Sequence, residues 1–101
     1  MSSERFVFRA GERELSGELV RPERDERASA LLLAHGAGYH MDSPWMVALG
    51  AGLVARGFAV LRFNYPYRER ALREGKGGPP DRTAILEEAH CAARAALAER
   101  V

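Results

Sequence analysis

The sequence predicts an α/β fold of the three-layer αβα type, built as a β-hairpin, a βαβ unit and a final helix. Three observations predict it. Residues 5–9 and 14–21 are short, strand-like and separated by a glycine turn. Residues 29–34, "SALLLA", and 58–64, "FAVLRFN", are apolar runs without alternation, as in strands covered on both faces. Between and after those two runs lie segments with helical spacing.

In the hairpin, "AGER" supplies the turn, with Gly11 free to take a positive φ. Leu15, Gly17 and Leu19 alternate with polar neighbours in its second strand. "PERDERAS" then reads as a charged surface loop. After 29–34, Ser43 is a favourable N-cap and Pro44 suits the first helical position, so a helix is expected over 44–56. Gly57 fits the position just past its end. Trp45, Leu49 and Leu53, with Ala48 and Gly52, keep helical spacing, and the small residues suit close approach to a sheet. Residues 65–80, rich in Pro, Gly and Arg, read as a loop, with a helical turn open to part of "RERALRE". Asp81 is placed to cap a last helix over 82–100, with Ile85, Ala89, Ala92 and Ala96 on one stripe and Leu86, Ala93 and Leu97 beside it.

The 101 residues suffice for one core, and the hydrophobic content of 47% excludes a disordered tail. A net charge of +1 provides no global field for nucleic acid or anionic lipid. The loop carrying Arg68, Arg70, Arg73 and Lys76 is diluted by Glu69 and Glu74, so nucleic-acid binding ranks last. Cys91 is the single cysteine and can form no internal disulfide, which fits a cytoplasmic setting. No stretch has signal-peptide or membrane-spanning character, and no membrane partner is expected.

The chemistry concentrates in "HGAGYHM", residues 35–41, for which three readings compete. A dinucleotide fingerprint fails at Met41, where the third glycine belongs, and at Asn64, where a ribose-binding acid belongs. No phosphate-loop motif exists. Metal binding by His35, His40 and Asp42 has loose spacing; the plainer alternative is a locally hydrogen-bonded His35 and an exposed His40. Neither a cofactor nor a metal is therefore expected. The third reading is an oxyanion hole: backbone N–H groups on a rigid loop after a central strand, with glycines leaving room for substrate. A glycine turn with no catalytic role stands beside it.

"LLLAHGAGYHMDSPWMVALGAGLVARGFAVLRFNYPY", together with the later "PPDR", resembles the start of the α/β-hydrolase superfamily, in its dienelactone-hydrolase-like branch of predicted hydrolases. That branch includes a testis-expressed protein and a subunit of a chromatin acetylation complex. The resemblance covers nearly the whole chain from residue 5, most tightly 29–82. It implies that residues 1–101 form the N-terminal part of one α/β-hydrolase sheet. It also implies an oxyanion donor at Ala37, with Gly36 and Gly38 shaping the loop and Tyr39, Tyr65 and Tyr67 edging the substrate site.

Such enzymes need a nucleophile on a sharp strand-to-helix turn, then an acid and a histidine. Ser2, Ser3, Ser16, Ser29 and Ser43 lack glycines at the required spacing. Cys91 reads as a small packing residue, and adjacent His90 points about 100° away on the same helix, partly exposed. The nucleophile-bearing half is expected to lie outside these residues. The chain would then supply the oxyanion loop and pocket wall of a hydrolase acting on an acyl bond, inactive alone. The alternative is a non-catalytic interaction module on the same scaffold. In either case the apolar edge of residues 30–34 is expected to pair with a missing half or a second copy.

Overall fold

The computed structural model describes residues 1–23 and 29–101. Its element order is β1 (Ser2–Ala10), β2 (Arg13–Arg21), β3 (Ala30–Ala34), α1 (Pro44–Ala55), β4 (Ala59–Phe63), α2 (Pro66–Glu74) and α3 (Thr83–Arg100). The sheet order is β1-β2-β4-β3, with β3 and β4 parallel and the other neighbours antiparallel. The charged loop expected over 22–29 lies mostly outside the described residues.

The hairpin closes at Gly11, whose φ of 63° is the left-handed conformation that glycine adopts without penalty. Leu15, Gly17 and Leu19 all face inward, as their alternation predicts. Gly17 makes room where side chains crowd: a Cβ there would stand 3.1 Å from a methyl of Leu61 and 3.4 Å from the rings of Phe6 and Phe8. On that face of the sheet Phe8, Ala10, Leu15 and Phe63 pack against Ala89, Ala93 and Ala96 of α3, while Leu19 and Leu61 meet Leu97. The alanines bring the helix axis close to the strands.

α1 covers the other face, giving the three layers. Its inward residues are Met46, Gly50 and Val54, and Trp45 and Leu49 are exposed. The spacing of Trp45, Leu49 and Leu53 therefore does not mark the packed face. α1 is apolar almost all round, so periodicity could not choose a side. Gly50 decides it, lying over the Arg62 stem at 3.6 Å from where its Cβ would be.

Three further expectations are corrected. The segment after β4 is a nine-residue helix, α2, not a loop. Pro66 takes its first turn, Gly75 ends it at φ 75°, and the Tyr67 N–H donates to Asp81 at 2.7 Å. Asp81 thus holds α2, not α3, whose N-cap position falls to Arg82. Cys91 is exposed, two residues and so about 200° round the helix from buried Ala89. Ser43 does occupy the N-cap position of α1, yet its hydroxyl accepts the His40 N–H at 3.0 Å instead of capping the helix. β3 has β4 as its one strand neighbour among the described residues, so its other edge is open.

The close fit of α3 to the sheet yields a test. Ala93→Leu is expected to lower unfolding stability by about 1–3 kcal/mol, through overpacking. Ala95→Leu, on the exposed side of the same helix, should stay within about 0.5 kcal/mol in the same urea titration.

Candidate active site

The carboxyl ends of parallel β3 and β4 lie side by side, with Ala34 in register with Phe63. From there the chain runs His35-Gly36-Ala37-Gly38-Tyr39 on one strand and Asn64-Tyr65-Pro66-Tyr67 on the other. The first run closes a β-turn: the Tyr39 N–H donates to the Gly36 carbonyl at 3.2 Å, and Gly38 takes φ 81°. A positive φ at the third turn position is the type II pattern, which requires glycine. Gly36, Ala37, Gly38 and Tyr39 are all exposed. The N–H groups of Ala37 and Gly38 have no hydrogen-bond partner among the described residues.

The turn is anchored at both ends. Upstream, buried His35 uses both ring nitrogens: Nδ1 lies 3.0 Å from the Gly36 carbonyl, and Nε2 accepts the Tyr65 N–H at 3.1 Å. A carbonyl only accepts, so Nδ1 carries the proton and the ring is neutral. Tyr65 and Tyr67 pack edge-on against it, with centroids at 5.1 and 5.8 Å. Downstream, the fully buried Met41 is held through its own peptide groups. Its N–H donates to Asn64 Oδ1 at 2.8 Å, and its carbonyl accepts from Arg62 at 2.8 Å. Arg62 is itself buried and paired with Glu18 at 2.6 Å. Arg5 reaches across from β1 to grip Asp42 with two bonds of 3.2 and 2.9 Å, and Glu18 with a third of 3.1 Å.

The residues expected to form the site divide accordingly. Gly36, Ala37 and Gly38 form the exposed turn, and Tyr65 is half-buried beside it. Tyr67 is almost wholly buried at 5% exposure, so its ring supports His35 more than it faces solvent. Tyr39 stands against Trp45 instead, at 5.7 Å. His40 is half-buried, not exposed, and its Nδ1 accepts the Asp42 N–H at 3.2 Å. His90 is exposed on α3, with its ring against Phe63. Among the described residues no three of His, Cys, Asp and Glu gather as metal ligands, and no serine hydroxyl or thiol bonds to an imidazole. No described helix is long and apolar enough to cross a membrane.

Sequence reading missed Arg62 and Asn64 as parts of the site. The signal was present: a cation and an amide inside the apolar run "FAVLRFN" require buried partners.

Burial holds the His35 pKa below its ordinary value of 6.5, with the Gly36 hydrogen bond opposing. The Arg5 hydrogen bond holds the Asp42 carboxyl below its usual 3.8. Burial raises both phenols, Tyr65 and Tyr67, which stay protonated at neutral pH. The sign follows for stability. As pH falls through 6.5 the unfolded chain protonates His35 while the native fold resists, so stability is lost. Asp42 contributes in the same direction only below 3.8. The melting temperature should therefore drop between pH 7 and pH 5, and His35→Gln should flatten that part of the profile.

Residues 27–100 match a family described as the alpha/beta hydrolase domain. No curated protein matches the sequence. Among solved structures the chain is similar to an alpha-beta serine hydrolase homologue from Coxiella burnetii, with a TM-score of 0.71 at 20% identity, covering 93% of this chain and 45% of that one. It is also similar to a dienelactone hydrolase from Anabaena variabilis, with a TM-score of 0.61 at 27% identity, covering 73% and 35%. A highly thermostable carboxyl esterase from Bacillus coagulans gives a TM-score of 0.68 at 17% identity, covering 99% and 33%. The chain thus spans less than half the length of each of these proteins. With its parallel strand pair, glycine turn and matched sequence, the chain belongs to the α/β-hydrolase domain family.

Proposed function

We propose that these residues supply the oxyanion-hole loop and one pocket wall of a serine-dependent hydrolase of ester or other acyl bonds. The serine, acid and base come from polypeptide outside residues 1–101. When that serine attacks the acyl carbonyl, the carbon–oxygen π electrons move to the oxygen. The Ala37 N–H donates to this oxygen, with Gly36 and Gly38 leaving the approach clear of side chains. The serine proton passes through the base to the leaving group, which departs, and water then cleaves the acyl–serine ester to free the acid and restore the serine. Tyr39 and Tyr65 border the acyl group, and Tyr67 packs on His35 behind the turn. One observation carries this reading: the Ala37 N–H is exposed and unpaired on a turn held at both ends. An N–H fixed in this way stabilises developing charge without reorganising.

Ala37→Pro tests it. Ala37 is the second residue of the turn, where proline is favoured, so the substitution removes the N–H and keeps the backbone course. In the full-length polypeptide kcat toward p-nitrophenyl acetate should fall by about 10²–10³, with little change in melting temperature. Unchanged kcat would sink the reading.

The open edge of β3, Ala30–Ala34, is where the strand bearing the serine would add. Light scattering on the isolated 101 residues should report self-association that rises with concentration, because that edge is apolar and has no strand partner among the described residues. A monodisperse monomer at high concentration would count against this use of the edge. The exposed Trp45 and Leu49 favour a second reading, a non-catalytic interaction module. That reading requires partner binding with no esterase activity in the full-length polypeptide.

A further inference from the structure

The sequence couples two motifs, the glycine turn at 35–38 and the strand end "RFN" at 62–64, and the oxyanion reading uses only the first. The geometry points to Asn64 and Arg62 as positioning residues for the oxyanion loop, acting through the peptide groups of Met41. This inference rests on the proposed function above.

Asn64 and Arg62 are two residues apart along the β4 direction, so both side chains leave the same face of the sheet. Asn64 is 3% exposed and Arg62 4%. One takes the Met41 N–H and the other gives to the Met41 carbonyl, each at 2.8 Å. Met41 is therefore fixed in both translation and rotation by one rigid strand. His35 is fixed to the end of that strand by Tyr65. Five residues, 36–40, span the two anchors, and one turn fills the span. The direction of the Ala37 N–H follows from where those anchors stand. Releasing Met41 would leave the downstream side of the turn held only through its neighbours, the His40 N–H on Ser43 and Asp42 on Arg5.

The carboxamide is suited to this task. Its oxygen accepts without carrying a charge, so it adds nothing to the balance already struck between Arg62, Glu18 and Asp42. Leucine in its place would keep the volume and lose the acceptor. Aspartate would keep the acceptor.

The test compares Asn64→Leu with Asn64→Asp in the full-length polypeptide, using p-nitrophenyl acetate and residue-resolved amide exchange. In Asn64→Leu the Met41 amide should exchange at least about tenfold faster, with β4 and α3 protected as before. kcat should fall at least about tenfold, with KM within about twofold. Asn64→Asp keeps the acceptor and adds a buried charge, so it should restore Met41 protection and part of the kcat lost in Asn64→Leu. If Asn64→Leu does not fold, Asn64→Ser, too short to reach Met41, carries the same comparison. Unaltered Met41 exchange, or released Met41 with kcat unchanged, overturns the inference, as does a change confined to KM. Those outcomes leave the oxyanion reading intact so long as Ala37→Pro still lowers kcat. If Ala37→Pro has no effect, that reading fails whatever Asn64 does.

Discussion

A guanidinium buried in a sheet has to be neutralised, and Arg62 sets that requirement for the whole of this structure. It lies in β4 between Leu61 and Phe63, 4% exposed. Left unpaired, such a charge would cost about 3–5 kcal/mol. Glu18 on β2 answers it at 2.6 Å, the Met41 carbonyl at 2.8 Å and Asp42 at 3.7 Å. Arg5 on β1 then ties Asp42 to Glu18. Arg62 thus ties β2 and a loop to β4, and Arg5 adds β1 to the same network. The loop descends onto the sheet because the charge beneath it needs an acceptor there.

The consequence for function runs through geometry. A glycine turn alone would sample many orientations, since glycine restricts the backbone least. Here the turn lies between Met41, held by Arg62 and Asn64, and His35, held by the Tyr65 N–H. Glycine supplies the permitted φ at residue 38, and the buried polar groups supply the rigidity. Flexible residues and fixed anchors are therefore complementary parts of one device. Neither alone would aim an amide at a fixed point.

Much of the fold could be read in the sequence because its signals are local. The hairpin followed from Gly11 and the alternation of Leu15, Gly17 and Leu19, and the limits of α1 from Pro44 and Gly57. The packed face of α1 could not be read, because a helix apolar on every side has no periodicity to choose by. α2 was hidden because its stabilising contacts come from afar, Asp81 to the Tyr67 N–H and Glu69 to the Ser16 N–H. The exposure of Cys91 was misread because alanines surround it in sequence, although its side of α3 faces away from the sheet. For the site, the exposed turn was legible and its anchors were not. The partners of Arg62 and Asn64 lie twenty or more residues away along the chain, beyond any spacing rule.

A histidine opening a glycine loop suggests a base, and the hydrogen bonds of His35 argue otherwise. Its Nδ1 proton is given to the Gly36 carbonyl and its Nε2 lone pair to the Tyr65 N–H. To accept a proton it would have to abandon the Tyr65 N–H, leaving a part-buried donor unsatisfied. To donate as an acid it would first have to become charged, which its burial opposes. His35 therefore contributes position and no proton transfer. Among the described residues, the main-chain donors of the turn left without a partner are the N–H groups of Ala37 and Gly38, which do not titrate. Their one chemical capacity is to meet negative charge from a fixed direction. Acid acts on this loop by weakening the anchor at His35, while the two amide donors keep their protons.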